Sequence, residues 1–289
     1  MEIVESYLKS KMGKDDGGED RLVLGPRFFG VVDGATDKSG LNWGTQKVPR
    51  KGGYVLANIV KEVLESDYIS DKNYAEILDI INEKIHLAAK SVDIDLSNES
   101  NRSDVGFAVY DAKENKMVYI HDCNFAFLGK DGDFTAHYNE KPLDSLTGSI
   151  RSAVANWYSQ NGVDPFANGD LARKAIQPGL DKQLSIQNQG FESDEEWFFG
   201  VPKKLVAYKT INGFPTTLDT HSVPQNTSEI VLSSDGFNVL KPTLDETLSV
   251  LQNQMKKDPH CIYELKSTKG LVEGNISFDD ASYLRIRLS

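Results

Sequence analysis

Three apolar stretches of this sequence stop or start on a carboxylate. FFGVVDG ends on Asp33 and Gly34, EIVLSSDGF runs to Asp235 and Gly236, and FDDASYLRIRL opens on Asp279 and Asp280. A short run dense in Val, Ile, Leu and Phe and bounded by turn residues reads as a buried strand. An acid at its end is held rigidly at the rim of the core, and a following glycine lets the backbone close on whatever the acid binds. Each stretch taken singly is also an ordinary Asp-Gly turn between strands. Their recurrence points to a shared task, and a cation is the natural partner of several carboxylates.

The remaining pattern says what kind of core carries these ends. RLVLGPRFFGVV (21–32) reads as two β-type runs turning at Gly25 and Pro26. GGYVLANIVKEVLES (52–66) places Val55, Leu56, Ile59, Val60, Val63 and Leu64 at helical spacing, and NYAEILDIINEKIHLAAK (73–90) repeats it with Ile77, Leu78, Ile81 and Ile85. After the polar SVDIDLSNESNRSD come VGFAVYD and MVYIHDCNFAFL, separated by the turn-forming AKENK. Asp122 interrupts the second of these runs, and an acid inside a strand needs a partner. KLVAYKT, TTLDTHSV and EIVLSSDGF continue as sheet, and LDETLSVLQNQMKK (244–257) is a helix with Leu244, Leu248, Leu251 and Met255 on one stripe. In the last run Leu284, Ile286 and Leu288 alternate with Arg285 and Arg287, as in a strand with one buried face.

This order lacks the regular strand and helix alternation of a parallel fold and reads as α+β, with antiparallel sheet covered by helices. Residues 140–204 are less regular. Helices near 148–158 and 169–187 and the loop GFESDEEWFFGVPKK read there as an insertion or lid on a single domain spanning 1–289.

Composition separates classes of partner. Acidic residues number 43 against 32 Lys and Arg, a formal net charge of −11, which argues against nucleic acid or an anionic membrane, since both reward clustered cations. No apolar run approaches the roughly 20 residues of a membrane helix. The start MEIVESYLKSK has no charged-then-apolar leader, and Cys123 and Cys261 have the spacing of neither a disulfide framework nor a zinc site. A monomer in a reducing cytoplasm is the expectation.

Hard oxygen donors without a His or Cys cluster favour Mg²⁺ or Mn²⁺. Two such ions bridged by a carboxylate lower the pKa of a shared water and stabilise in-line displacement at phosphorus. Asp33 would be that bridge, and Gly34 would offer its carbonyl.

In order along the chain, the motifs resemble those of the metal-dependent serine/threonine protein phosphatases of type 2C. GGEDRLVL is similar to that family's first acidic motif, FFGVVDGATD to its second, YIHDCNFAFLG to its Gly-Asp-Ser-Arg segment, IVLSSDGF to its Ser-Asp-Gly motif and FDDASYLRIRL to its terminal strand. The resemblance implies a four-layer αββα fold, a β-sandwich of two antiparallel sheets flanked by helices, with a metal cleft at one end. It implies a phosphomonoesterase acting on phosphoserine and phosphothreonine in proteins, with two Mg²⁺ or Mn²⁺ ions, a weaker third, and metal-activated water as nucleophile. By the same resemblance Asp33 bridges, Gly34 ligates through its carbonyl, Asp235 and Asp279 hold one ion, and Glu19 holds the other. Asp122 matches a ligand of the third ion, while Asp20 and Asp280 match residues behind the ligands. Asp33, Asp235 and Asp279 are thus the expected catalytic core.

The sequence also departs from that family. Its second motif often carries a histidine able to protonate the leaving group, whereas this chain has Ala35. The five histidines, His86, His121, His137, His221 and His260, each read as ordinary packed or surface residues, and His121 would point away from Asp122 on a regular strand. The family's phosphate-binding arginine is replaced by Asp15, which leaves Lys14, Arg21 and Arg27 as nearby cations, a lysine being a point charge where arginine is a fork. RSDVGFAVYD also lacks a clear counterpart of a threonine found before the family's middle strands. These departures support an alternative, a pseudophosphatase that binds metal and regulates a partner.

Overall fold

Along β4 (Val105–Asp111), Phe107 and Val109 enter one apolar core while Ala108 and Tyr110 enter another. Such period-two sorting, repeated in neighbouring strands, is what stacks this chain in layers. The protein is described by a computed structural model at residues 1–16, 18–35, 40–139, 142–181, 197–198, 200–202 and 205–288. In chain order the other elements are β1 (Glu2–Lys9), β2 (Arg21–Leu24), β3 (Phe28–Gly34), α1 (Gly52–Leu64) and α2 (Tyr74–Ser91), all before β4. After it come β5 (Lys116–Ile120), β6 (Asn124–Gly129), β7 (Phe134–His137), α3 (Pro142–Gln160) and α4 (Leu171–Asp181). The chain continues with β8 (Trp197–Phe198), β9 (Val201–Pro202), β10 (Asp219–Ser222), β11 (Thr227–Ser233), α5 (Leu244–Lys257) and β12 (Ala281–Arg287).

Two five-stranded sheets are antiparallel throughout, one in the order β10-β5-β4-β3-β2 and the other in the order β1-β12-β11-β6-β7. Three apolar cores join four layers. Leu56, Val60 and Val63 of α1, with Ile77, Ile81 and Ile85 of α2, pack on Phe28, Val32 and Phe107 of the first sheet. Val31, Ala108 and Met117 of that sheet face Phe125, Ile230, Leu232 and Leu284 of the second. On the far side Ala126, Val231 and Tyr283 meet Leu251 of α5, with Leu244, Leu248 and Met255 beside it. Each fully buried side chain of this kind contributes about 1.5–3 kcal/mol. The expected α+β sandwich with helices on both faces is the one found, and no helix among the described residues is long and apolar enough to cross a membrane.

Local structure departs from the sequence reading at several points. MVYIHDCNFAFL is not one run: it is β5 in one sheet and β6 in the other, and residues 121–123 cross between them. KLVAYKT contributes no named strand at its described residues, and the nearby pairing is an isolated bridge from Ile211 to Val105. Glu2–Lys9, which carries no clear apolar alternation, becomes an edge strand by pairing with β12. Both faces of β12 are covered, since Leu284 and Ile286 enter the core between the sheets while Ala281 and Tyr283 enter the core that includes Leu251 of α5. In the irregular segment α3 is longer than expected, whereas positions 182–187 and most of the loop GFESDEEWFFGVPKK lie outside the described residues.

Candidate metal centre

The layering brings distant acids to one end of the sandwich. β3 runs in register with β4 and places Asp33 opposite Gly106, near the end of its sheet. In the other sheet, the chain leaving β11 is tied to the start of β12, with Ser234 N–H donating to Ser282 O at 3.1 Å and Ser282 N–H to Ser234 Oγ at 3.0 Å. Asp235 follows directly, and its N–H points to Asp33 Oδ2 at 3.4 Å. The crossover between β5 and β6 adds Asp122. Asp33, Asp122 and Asp235 each offer a carboxylate oxygen, and these oxygens lie within 4.8 Å of one another. Oxygens on opposite sides of an ion bound at 2.0–2.6 Å stand about 4–5 Å apart, so all three can reach one hard cation.

The strand end is braced by backbone. A Cβ on Gly34 would stand 2.4 Å from Gly53 O and 2.7 Å from Glu19 O, so β3, the first turn of α1 and the Glu19 segment meet without room for a side chain. Glu19 is buried, with Oε1 2.8 Å from where a Cβ on Gly53 would be. Asp280 organises the segment before it by accepting the N–H groups of Lys11 at 2.8 Å and Glu19 at 2.9 Å. Gly18, at φ +60°, permits this approach, because its Cβ would fall 2.3 Å from Asp280 Oδ2.

Asp20 is 1% exposed, and its Oδ2 has no hydrogen-bond partner. Burial pushes this carboxyl well above the usual range; a hydrogen bond with Ser234 opposes that, and the charges of Asp280, Asp235 and Asp279 add to it. Crowded, dry carboxylates with an orphaned oxygen are the environment a divalent ion relieves, and an all-oxygen donor set fits Mg²⁺ or Mn²⁺. A cavity of about 490 Å³ opens here, lined by Asp20, Asp33, Gly34, Asp235, Asp279 and Asp280.

Asp279 is held differently from the three clustered acids. Lys11 Nζ meets its Oδ1 at 3.0 Å, and Lys269 Nζ meets its Oδ2 in a still shorter contact. Burial would raise this carboxyl, but Lys269 and Lys11 outweigh it and hold it down at about 2. Neither lysine stands out in the sequence, because each meets Asp279 only through the fold.

His121 also departs from expectation. It lies in the crossover at φ +74°, outside any strand, so its ring turns to the side of Asp122. Nδ1 is 2.7 Å from Asp122 Oδ1, without the alignment of a hydrogen bond, and Nε2 is 3.8 Å from Asp104 Oδ2. The adjacency of His121 and Asp122 was a signal, but the left-handed turn that joins them was not legible.

The three cations proposed for phosphate lie off the cavity wall. Arg27 sits at the opposite end of β3, buried, with Nη2 donating to Asp111 at 2.7 Å and Nη1 to Lys72 O at 2.8 Å. Arg21 donates to Asn58 Oδ1 at 2.7 Å and stacks over Tyr54, and Lys14 is exposed. Among the described residues the cations that line the cavity are Lys11, Lys51, Arg102, Arg173 and Lys269.

No protein-family profile matches this sequence, and no curated protein does. Similar solved structures include a bacterial serine phosphatase at 11% identity and TM-score 0.48, with 100% of this chain and 98% of that chain covered. The serine/threonine phosphatase PstP/Ppp of Mycobacterium tuberculosis is similar at 15% identity and TM-score 0.43, with 100% of each chain covered. Stp1, a serine/threonine phosphatase from Staphylococcus aureus, is similar at 11% identity and TM-score 0.45, with 100% of this chain and 96% of that chain covered. At such values chemistry has to be read from the residues themselves.

Proposed function

We propose that this chain is a divergent member of the type 2C metal-dependent serine/threonine protein phosphatases, a phosphomonoesterase acting on phosphoserine and phosphothreonine in proteins. One observation carries the reading: Asp33, Asp122 and Asp235, far apart in sequence and drawn from both sheets, bring their oxygens within 4.8 Å of one another, and Asp33 and Asp235 line a cavity. A divalent ion held there supplies Lewis acidity toward a phosphoryl oxygen and lowers the pKa of water.

The chain's own residues do the rest. Asp33, Asp122 and Asp235 would hold the ion, with Gly34 offering its carbonyl and Glu19 standing beside it. Asp280 fixes the Glu19 segment through two backbone N–H groups. Arg173, whose Nη1 donates to Thr268 O at 2.5 Å, and Lys51 place positive charge on the cavity wall where a phosphate would sit. Among the described residues Ala35 lines the cavity where the resembling family often has its histidine, and His121 does not line it, which favours solvent as the proton source for the leaving group.

The decisive experiment is hydrolysis of para-nitrophenyl phosphate and of a phosphothreonine peptide with and without Mn²⁺. We expect Mn²⁺-dependent turnover that falls by at least 100-fold in Asp33→Asn, with the circular dichroism spectrum unchanged. The double lysine contact at Asp279 favours a second reading, a metal-binding regulatory module. Tight Mn²⁺ binding with no turnover above the Asp33→Asn background would select it.

A further inference from the structure

Asp279 stands at the edge of the cavity with both of its oxygens engaged by ammonium groups, Oδ1 by Lys11 and Oδ2 by Lys269. Neither lysine is a loosely tethered surface residue. Lys11 is rooted by its own N–H, which donates to Asp280 Oδ1 at 2.8 Å, and its Nζ also lies 3.9 Å from Asp280 Oδ2. Lys269 follows two residues whose carbonyls are gripped by guanidinium groups: Ser267 O accepts from Arg151 Nη1 at 2.9 Å, and Thr268 O from Arg173 Nη1 at 2.5 Å. Arg151 is itself fully buried and anchored on Asp170. The side chains of Lys11, Lys269 and Asp279 are 24%, 30% and 27% exposed, so the trio is largely shielded from water and its charges act at short range.

Charge balance divides these acids into two groups. Asp33, Asp122 and Asp235 converge on one another. Asp279 and Asp280 are instead met by two ammonium groups, which together carry the charge of one divalent ion. Asp280 is further engaged by two backbone N–H groups. For Asp279 to ligate a metal, the ion would have to displace two rooted cations from its oxygens and take its place beside their positive charge.

We infer that Lys11 and Lys269 take the place of a second divalent ion, so that this centre binds one exchangeable ion, at Asp33, Asp122 and Asp235, and keeps Asp279 in an internal salt bridge. The inference rests on reading those three acids as a divalent site.

The test is ion stoichiometry and does not need turnover. The full chain is stripped with chelator, dialysed against Mn²⁺ and assayed for bound manganese per chain, with electron paramagnetic resonance to detect exchange coupling between neighbouring ions. The wild type should bind one Mn²⁺ with an uncoupled six-line spectrum, and Lys11→Met/Lys269→Met should bind two with a coupled spectrum. If the double variant does not fold, Lys11→Gln and Lys269→Gln singly should each tighten a second ion at least tenfold. Two coupled ions in the wild type would overturn the inference while leaving the proposed phosphatase intact. One ion in the wild type and in every folded lysine variant would overturn the role of the lysines. No ion in the wild type would remove the metal site itself, and with it the proposed function.

Discussion

Asp111 lies wholly out of solvent at the end of β4 away from the cavity, bound by Arg27 through Nε at 3.1 Å and Nη2 at 2.7 Å and by the Tyr74 hydroxyl at 3.0 Å. Burial alone would raise its carboxyl, but the hydrogen bonds and charge of Arg27 prevail and hold it below the usual range. A lowered folded value means that Asp111 stabilises the fold above the ordinary carboxylate range and that this is lost as pH falls through the lowered value. Removing one member of a buried pair strands the other, at a cost of about 3–5 kcal/mol. Asp111→Ala is therefore expected to lower the unfolding free energy measured in urea by that amount, while Arg27→Met/Asp111→Leu recovers most of it. Equal losses in the single and double variants would show that the pair does not act as a unit. Arg27 thereby has a structural task that its place beside β3 did not suggest.

Among elements, the junction of β3 with α1 controls the centre most directly. The strand is apolar on both faces up to Val32, then presents Asp33, then closes on α1 through Gly34 with no space for a methyl group. Gly34→Ala must push the strand end away from Gly53 and Glu19, and overpacking of this kind costs about 1–3 kcal/mol. The expected result is a lower melting temperature together with weaker Mn²⁺ binding, because the same shift moves Asp33. Calorimetric titration that found wild-type Mn²⁺ affinity in a destabilised Gly34→Ala protein would separate the junction from the centre. The crossover between β5 and β6 has a comparable role: by changing sheets at 121–123 the chain turns an acid that would have sat inside a strand into one at the open end of the sandwich.

For the molecule as a whole, the closely spaced carboxylates make stability depend on pH and metal together. Asp20 has a raised folded value, so rising pH, once past the ordinary carboxylate range, removes its proton at the expense of the fold. A bound cation relieves the same repulsion, and protons compete with it. Mn²⁺ at 100 times its dissociation constant contributes about 2.7 kcal/mol, which corresponds to roughly 5 °C in a chain of this size. Scanning fluorimetry at one Mn²⁺ concentration should show a larger rise in melting temperature at pH 7.5 than at pH 5.5. Equal shifts at the two pH values would mean that no protonated carboxyl competes with the ion.

Periodicity along the sequence was sufficient for α1, α2 and α5, whose apolar stripes are the faces they bury, and for β3, β4, β11 and β12 as strands. It also marked Asp33 and Asp235 as the ends of buried runs, since an apolar run can stop on Asp-Gly only where the core stops. From the same pattern came antiparallel sheet covered by helices, whereas the four-layer sandwich was implied only by the family resemblance. Periodicity could not show that residues 116–129 divide between two sheets, because a period of two looks the same on either side of a crossover. Nor could it show that His121 turns toward Asp122, a matter of one backbone angle. Charge pairing has no period at all. Arg27 meets Asp111 across 84 positions and Lys11 meets Asp279 across 268, so which acids stay open to a cation and which are neutralised from within was decided only when the layers closed and set side chains within reach of one another.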